Sequence, residues 1–297
     1  MRSSTRQLEP CFLLAVLFAL PLSVCGVRGP EVTVADPEDD LARKEAKEQK
    51  ERYTTWMRNY AESTTIRVTG VKGDKEQDAK LVSHPVIRYR DPIIADDATL
   101  WVWTLDSRPV ALQKIEVNNR VGQKWTICFA SVAQGIVTAQ WPGDRRYAST
   151  APGLKFRPIP KAELPSDNPK SRMTQIKALK ARFTGLVGYT VERNEGIELT
   201  PMTTPLFDYS DPESKLPLGA IFSMVNEKGV RNPGVLLFIE ARPDDDGKWR
   251  WEFAGAKLGT AGAQWRLDGA PVLMIPAVRT GQVFDNWTFF VMPRDFK

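Results

Sequence analysis

One histidine, His84, and three cysteines are all that this 297-residue chain offers to the commonest proton-transfer and thiol chemistries. A lone histidine leaves no His cluster to hold a metal. Two of the cysteines, Cys11 and Cys25, fall in the first 26 residues, so a chain cut after Cys25 keeps only Cys128 and makes no internal disulfide. Such a chain in an oxidising compartment is held by its core alone. Strong charge is missing too. The formal net charge is +5; Arg2, Arg6 and Glu9 carry one of these positive charges among them, which leaves +4 beyond residue 26. Basic residues are interleaved with acids along the chain, and this excludes the basic stripe of a nucleic-acid binder. With 42% hydrophobic and 26% charged residues, the composition is that of an ordinary globular protein with enough apolar content for a sizeable core.

Beyond the N-terminus there is no long apolar run, so no transmembrane segment is expected in the remainder of the chain. The N-terminus itself reads as an export signal over residues 1–26. Arg2 and Arg6 form a basic start, Cys11–Val24 a short apolar run broken by Pro21, and Ser23 and Cys25 stand at −3 and −1 for a cut before Gly26. A second reading makes Leu22-Ser23-Val24-Cys25 a lipoprotein signal with Cys25 acylated, although Val24 sits where a small residue is usual. The expected location is therefore periplasmic or extracellular, with a lipid anchor as the variant.

The most informative pattern is internal. Residues 84–141 and 204–265 match through most of their length. His84-Pro85-Val86-Ile87-Arg88-Tyr89-Arg90-Asp91-Pro92 stands opposite Thr204-Pro205-Leu206-Phe207-Asp208-Tyr209-Ser210-Asp211-Pro212. Arg108-Pro109 and the run Val110 to Glu116 stand opposite Asn232-Pro233 and Gly234 to Glu240. Trp125 matches Trp249, and Ala139-Gln140-Trp141 matches Ala263-Gln264-Trp265. The offset grows by four residues once, as a single loop insertion would make it. Each copy follows a helical stretch: Asp36 to Thr64, with Tyr53, Trp56, Met57 and Tyr60 as its apolar face, and Asn168 to Gly185, with Met173, Ile176, Leu179 and Phe183. Alternation in Trp249-Arg250-Trp251-Glu252-Phe253 reads as strand, and Val235 to Ile239, apolar on both sides, as a central strand. Between the copies lie Pro152, Pro158, Pro160, Pro165 and Pro169, a stiff extended connector.

The expected fold is accordingly α+β: two repeated units, each a helix followed by an antiparallel β-meander, lying side by side. The organisation is a signal at 1–26, a first unit at 27–149, a connector at 150–166 and a second unit at 167–297.

Candidate sites are few, and most read first as structure. His84 has no evident partner and faces Thr204 in the other copy. Asp244-Asp245-Asp246-Gly247 lacks the alternate oxygens and distant acid of a calcium loop and reads as a hairpin turn. Cys128 matches Glu252 and has no base beside it. The paired Tyr89/Asp91 and Tyr209/Asp211 could bind a ligand across a pseudo-twofold, though Asp before Pro also ends a strand and opens a turn. Trp125, Trp141, Trp249 and Trp265 read as core, while Trp56, Trp103 and Trp287 are the rings expected to be exposed, Trp103 among the ligand-binding candidates. No catalytic constellation, metal set or cofactor motif is found.

The segments Pro85–Pro92 (PVIRYRDP), Trp125 with Cys128-Phe129, Pro152–Pro160 (PGLKFRPIP), Arg172 with Gln175 and Leu179, Pro205–Tyr209 (PLFDY) and Val235–Arg242 (VLLFIEAR) resemble a family of uncharacterised secreted proteins of planctomycete bacteria, over nearly all of residues 50–270. The resemblance implies an exported protein of an aquatic bacterium and supplies no catalytic residues. The function expected is that of an exported non-catalytic protein binding a ligand, polymer or partner in the cell envelope. The alternatives are a carboxylate hydrolase of the envelope and a lipid-anchored structural component.

Overall fold

The computed structural model describes residues 37–70, 75–122, 124–190, 195–213, 215–227, 232–278 and 285–293. The export signal and the lipidation candidate Cys25 lie outside the described residues. The chain divides into two compact units, residues 1–45 and 46–297. In the first, residues 40–45 are helical and exposed. In the second lie both matched segments.

In chain order the elements are α1 (Pro37–Glu62), β1 (Thr65–Thr69), β2 (Gln77–Asp78), β3 (Lys80–Leu81), β4 (Ile87–Asp91), β5 (Ala95–Leu105), β6 (Arg108–Asn118), β7 (Lys124–Ser131), β8 (Ile136–Gln140), β9 (Arg146–Ala148), β10 (Arg157–Pro158), α2 (Pro169–Lys180), β11 (Phe183–Thr190), β12 (Glu195–Pro201), β13 (Phe207–Ser210), β14 (Pro217–Val225), β15 (Val235–Pro243), β16 (Trp249–Lys257), β17 (Ala263–Leu267), β18 (Ala270–Ile275) and β19 (Trp287–Met292). Among the described residues strands take 49% and helices 16%. The α+β expectation is therefore corrected: the protein is mostly β, built of large antiparallel sheets that include a half-barrel. A six-stranded sheet runs β19-β7-β6-β5-β3 with β4 beside β5; a nine-stranded sheet runs β10-β16-β15-β14-β12-β11-β17-β18 with β13 beside β14; and β2-β1-β8-β9 form a third. The meander of each copy is broken up. β8 leaves β7 to pair with β1, and the C-terminal β19 takes the open edge of β7.

The physical reason is that the central strands are apolar on both faces, so each sheet needs two covers. In β5 to β7, Trp101, Trp103, Ile115, Val117, Trp125, Ile127 and Phe129 pack with Met57 and Tyr60 of α1 and with β1 and β8. On the opposite face Leu100, Val102, Leu112, Cys128 and Ala130 meet Leu236, Phe238, Ala254 and Ala256 of the nine-stranded sheet. The two sheets are thus stacked face to face, not laid side by side. Beyond the second sheet, Ile176 and Leu179 of α2 join Phe183, Trp251, Phe253 and Trp265 in a further layer. Gly255 permits this closure, because a Cβ there would lie 2.6 Å from Leu273 and 2.7 Å from the Trp265 ring.

Local signals set the element ends. Asn168 caps α2, its side-chain oxygen accepting from Ser171 N at 3.1 Å, with Pro169 just inside. Ser63 and Thr64 close α1 by donating their hydroxyls to Asn59 O and Tyr60 O, at 2.7 and 2.8 Å. Asp106 and Ser107, both at positive φ (49° and 65°), make the two-residue hairpin between β5 and β6. No helix of the described residues is long and apolar enough to cross a membrane.

Candidate functional site

The matched tyrosines occupy equivalent rows of the two sheets. On β4, Tyr89 lies beside Ala98 of β5, which lies beside Glu116 of β6, which lies beside Thr126 of β7. On β13, Tyr209 lies beside Gly219 of β14, which lies beside Glu240 of β15, which lies beside Glu252 of β16. In both rows the tyrosine reaches across the small residue and donates its hydroxyl to the glutamate, at 2.6 Å in each case. Tyr89 and Tyr209 are both 4% exposed. Burial, and after it the facing glutamate, raise both phenols well above their ordinary value, so both stay protonated donors. The ladder sets Thr126, rather than Cys128, in the place of Glu252. The sequence match through Trp125 and Trp249 is corrected by two residues.

The two rows differ in what completes them. Around Glu116 the partners are sealed in. Lys114, two residues back on the same strand, approaches Glu116 at 3.2 Å, with both side chains at most 5% exposed. It also donates to Asn232 Oδ1 at 3.1 Å, and Asn232 Nδ2 donates to Asp91 Oδ2 at 3.2 Å. Burial opposes the Lys114 charge, but Glu116 and, more weakly, Asp91 help outweigh it and raise the ammonium above its ordinary value. Around Glu240 the partners are guanidiniums. Arg108 Nε donates to Glu240 Oε1 at 3.1 Å and Arg242 Nη1 to the same oxygen at 3.0 Å. Arg242 continues to Glu252 at 3.2 Å, and Arg250 meets Glu252 at 2.8 Å. Three cations thus share two carboxylates, and the Arg108 side chain is 43% exposed.

Arg108 and Asn232 are the matched residues that precede Pro109 and Pro233, and each crosses to the other sheet's row. Sequence reasoning carried both in its alignment without singling them out, because the crossing exists only once the sheets are stacked. The Ser107 hydroxyl adds a further cross-sheet bond, donating to Ser210 O at 2.5 Å.

Above the Glu240 row the seam between the sheets opens into a groove of about 520 Å³. Arg108, Arg242, Tyr209 and Glu240 line it with Phe156, Leu154, Val110 and Leu218, and Asp106, Asp211 and Glu213 are among its acids. The Arg242 guanidinium lies 4.5 Å from the centre of the Phe156 ring. A second cavity of about 940 Å³ lies along α1 beside Lys47, Lys50, Arg88, Tyr89, Arg90, Asp96 and Asp97, so it reaches the tyrosine of the first row but not Glu116. There Arg88 is committed to structure, donating to Asp97, to Thr54 Oγ1 at 2.6 Å and to Lys50 O at 3.2 Å.

The remaining candidates fall as follows. Asp91 is 5% exposed and accepts from Ile93 N and Ile94 N at 3.0 and 3.3 Å, holding the turn into β5. Asp211 is half-buried and accepts from Glu213 N at 3.1 Å. Trp103, expected as an exposed ligand-binding ring, is 1% exposed in the layer beneath α1, where a ligand cannot reach it. Trp287 is likewise buried and Trp56 half-buried, while Trp249, expected in the core, is 42% exposed. His84 sits on an exposed loop with Ser83 Oγ 3.2 Å from its Nδ1. Asp244 holds the hairpin, its carboxylate accepting from Asp246 N and Lys248 N at 3.0 and 2.9 Å. Cys128 is buried, and burial pushes its thiol up to about 12. Among the described residues no group of three His, Cys, Asp or Glu side chains could hold a metal ion. Comparison with protein families, with curated proteins and with solved structures finds no match to this chain.

Proposed function

We propose that this chain is an exported, non-catalytic binding protein of the cell envelope and that its ligand or partner is held in the groove above Glu240. One observation carries the reading. Of two equivalent glutamates, Glu116 is enclosed with Lys114 and Asn232, while Glu240 lines a groove with a half-exposed guanidinium in it. Export rests on the basic start and short apolar run at the N-terminus. The hydrolase alternative needs two acids brought together across a substrate. Asp91 and Asp211 instead each hold a turn of their own, and the partners of Asp91 are Ile93, Ile94 and Asn232.

The test is saturable binding of the purified chain in a panel of envelope glycans and peptides, read by calorimetry, with Phe156→Ala and Arg108→Gln as groove variants. The expected result is at least one ligand bound by the parent chain and weakened by both variants. A ligand bound equally well by both would move the site elsewhere, and turnover of any panel member would overturn the non-catalytic reading.

A further inference from the structure

Within that reading of the groove, we infer that the ligand is a short peptide with a free C-terminal carboxylate, the carboxylate lying against the outer edge of Arg108. Arg108 is bound to Glu240 only through Nε, and among the described residues its two Nη groups carry no hydrogen bond. A guanidinium stays charged at any working pH, and its planar fork matches a carboxylate through two parallel donors. Arg108 ends a chain of alternating charges in which three guanidiniums meet two carboxylates. At the other end of that chain, Arg250 gives both Nε and Nη2 to Glu252, at 2.8 Å each, so Arg108 is the less satisfied end.

The surroundings define the rest of the ligand. Val110, Leu154, Phe156 and Leu218 offer an apolar wall for a side chain. Asp106, Asp211 and Glu213 bring negative charge to the same groove. They disfavour a dianion such as a phosphate and favour a single carboxylate with an ammonium at its far end. A space of about 520 Å³ exceeds what one amino acid fills and lies within the ordinary range for small-ligand clefts.

The probes are glycyl-phenylalanine and its C-terminal amide, titrated into the full chain by calorimetry, with Arg108→Gln and Arg108→Lys compared and folding followed by thermal melting. The expected result is saturable binding of the acid and about tenfold or weaker binding of the amide, as loss of a charge-assisted pair implies. Arg108→Gln should bring the acid down to the level of the amide, and Arg108→Lys should restore part of the difference. Equal binding of acid and amide, or an acid affinity indifferent to Arg108→Gln in a chain that still melts cooperatively, would overturn the carboxylate assignment while leaving the groove as a binding site. Absence of binding by both probes would overturn the peptide assignment, and the groove reading would then rest on the panel above.

Discussion

The row at Tyr89 and the row at Tyr209 start from the same residues and reach opposite ends. Both present a buried phenol to a buried glutamate across a small residue. In the first, the cation is a lysine on the same strand, and the residue arriving from the other sheet is an asparagine that satisfies both Lys114 and Asp91. In the second, the residue arriving from the other sheet is an arginine, long enough to keep its outer edge in water. One side-chain choice at matched positions, Asn232 or Arg108, separates a sealed network from an open groove. The tyrosine–glutamate pair is the shared framework, and the exposure of the cation that meets its glutamate is set by what crosses the seam.

The largest expected effect is at the two glutamates. Glu116→Gln leaves the Lys114 ammonium buried without its carboxylate, a loss of about 3–5 kcal/mol. Glu240→Gln leaves guanidiniums that can turn to water, and the expected loss is about 1–2 kcal/mol. Urea unfolding of the two variants, with equal slopes, measures the difference; equal losses would erase the distinction between sealed and open rows. Next is Gly219→Ala. An added Cβ would stand 2.6 Å from the Tyr209 hydroxyl and 2.7 Å from Ile239 O, an overpacking of about 1–3 kcal/mol. Tyr209→Phe in that background should recover part of the loss, a coupling visible in a double-mutant cycle. At the equivalent place of the first row Ala98 already carries a Cβ, so the intervening residue is one point at which the two frameworks are not interchangeable.

The smallest effect contrasts two buried lysines. Lys114 has a carboxylate and is raised; Lys257, 6% exposed, donates to the carbonyls of Ala261 and Pro276, at 3.3 and 2.5 Å, and burial pulls it down to about 8. Between about pH 8 and the ordinary value of 10.5 the unfolded chain holds a proton that the folded chain has released, so stability rises with pH in that window. The stability of the parent relative to Lys257→Met should therefore increase from pH 7 to pH 9.5 in urea titrations, and a flat difference would refute the assignment.

Much of the site was legible in the sequence, and much of the fold was not. The tyrosine and aspartate pairs, the matched glutamates and the strand at Val235–Ile239 follow from self-comparison and alternation. The hairpin at Asp246-Gly247 follows from local turn chemistry. The helices, each written plainly ahead of its copy, drew the fold toward α+β, although they hold only 16% of the described residues. Strand exchange was invisible, because the placement of β19 on β7 and of β1 on β8 depends on residues 67 or more positions apart. Trp103 was misplaced for a related reason. Leu100, Trp101, Val102 and Trp103 are apolar on both faces, and the pattern does not reveal that both faces are covered. The crossing of Arg108 and Asn232 needed the stacked sheets to be seen at all.

The central claim is that these two matched residues have taken opposite roles, and truncating each to alanine tests it most directly. Asn232→Ala strands Lys114 and Asp91 in a buried network, with an expected loss of about 1–3 kcal/mol. Arg108→Ala removes one exposed partner of Glu240 and should cost under about 1 kcal/mol. Unfolding free energies in that order would support a sealed row and an open one. A loss at Arg108 equal to or greater than that at Asn232 would contradict the account.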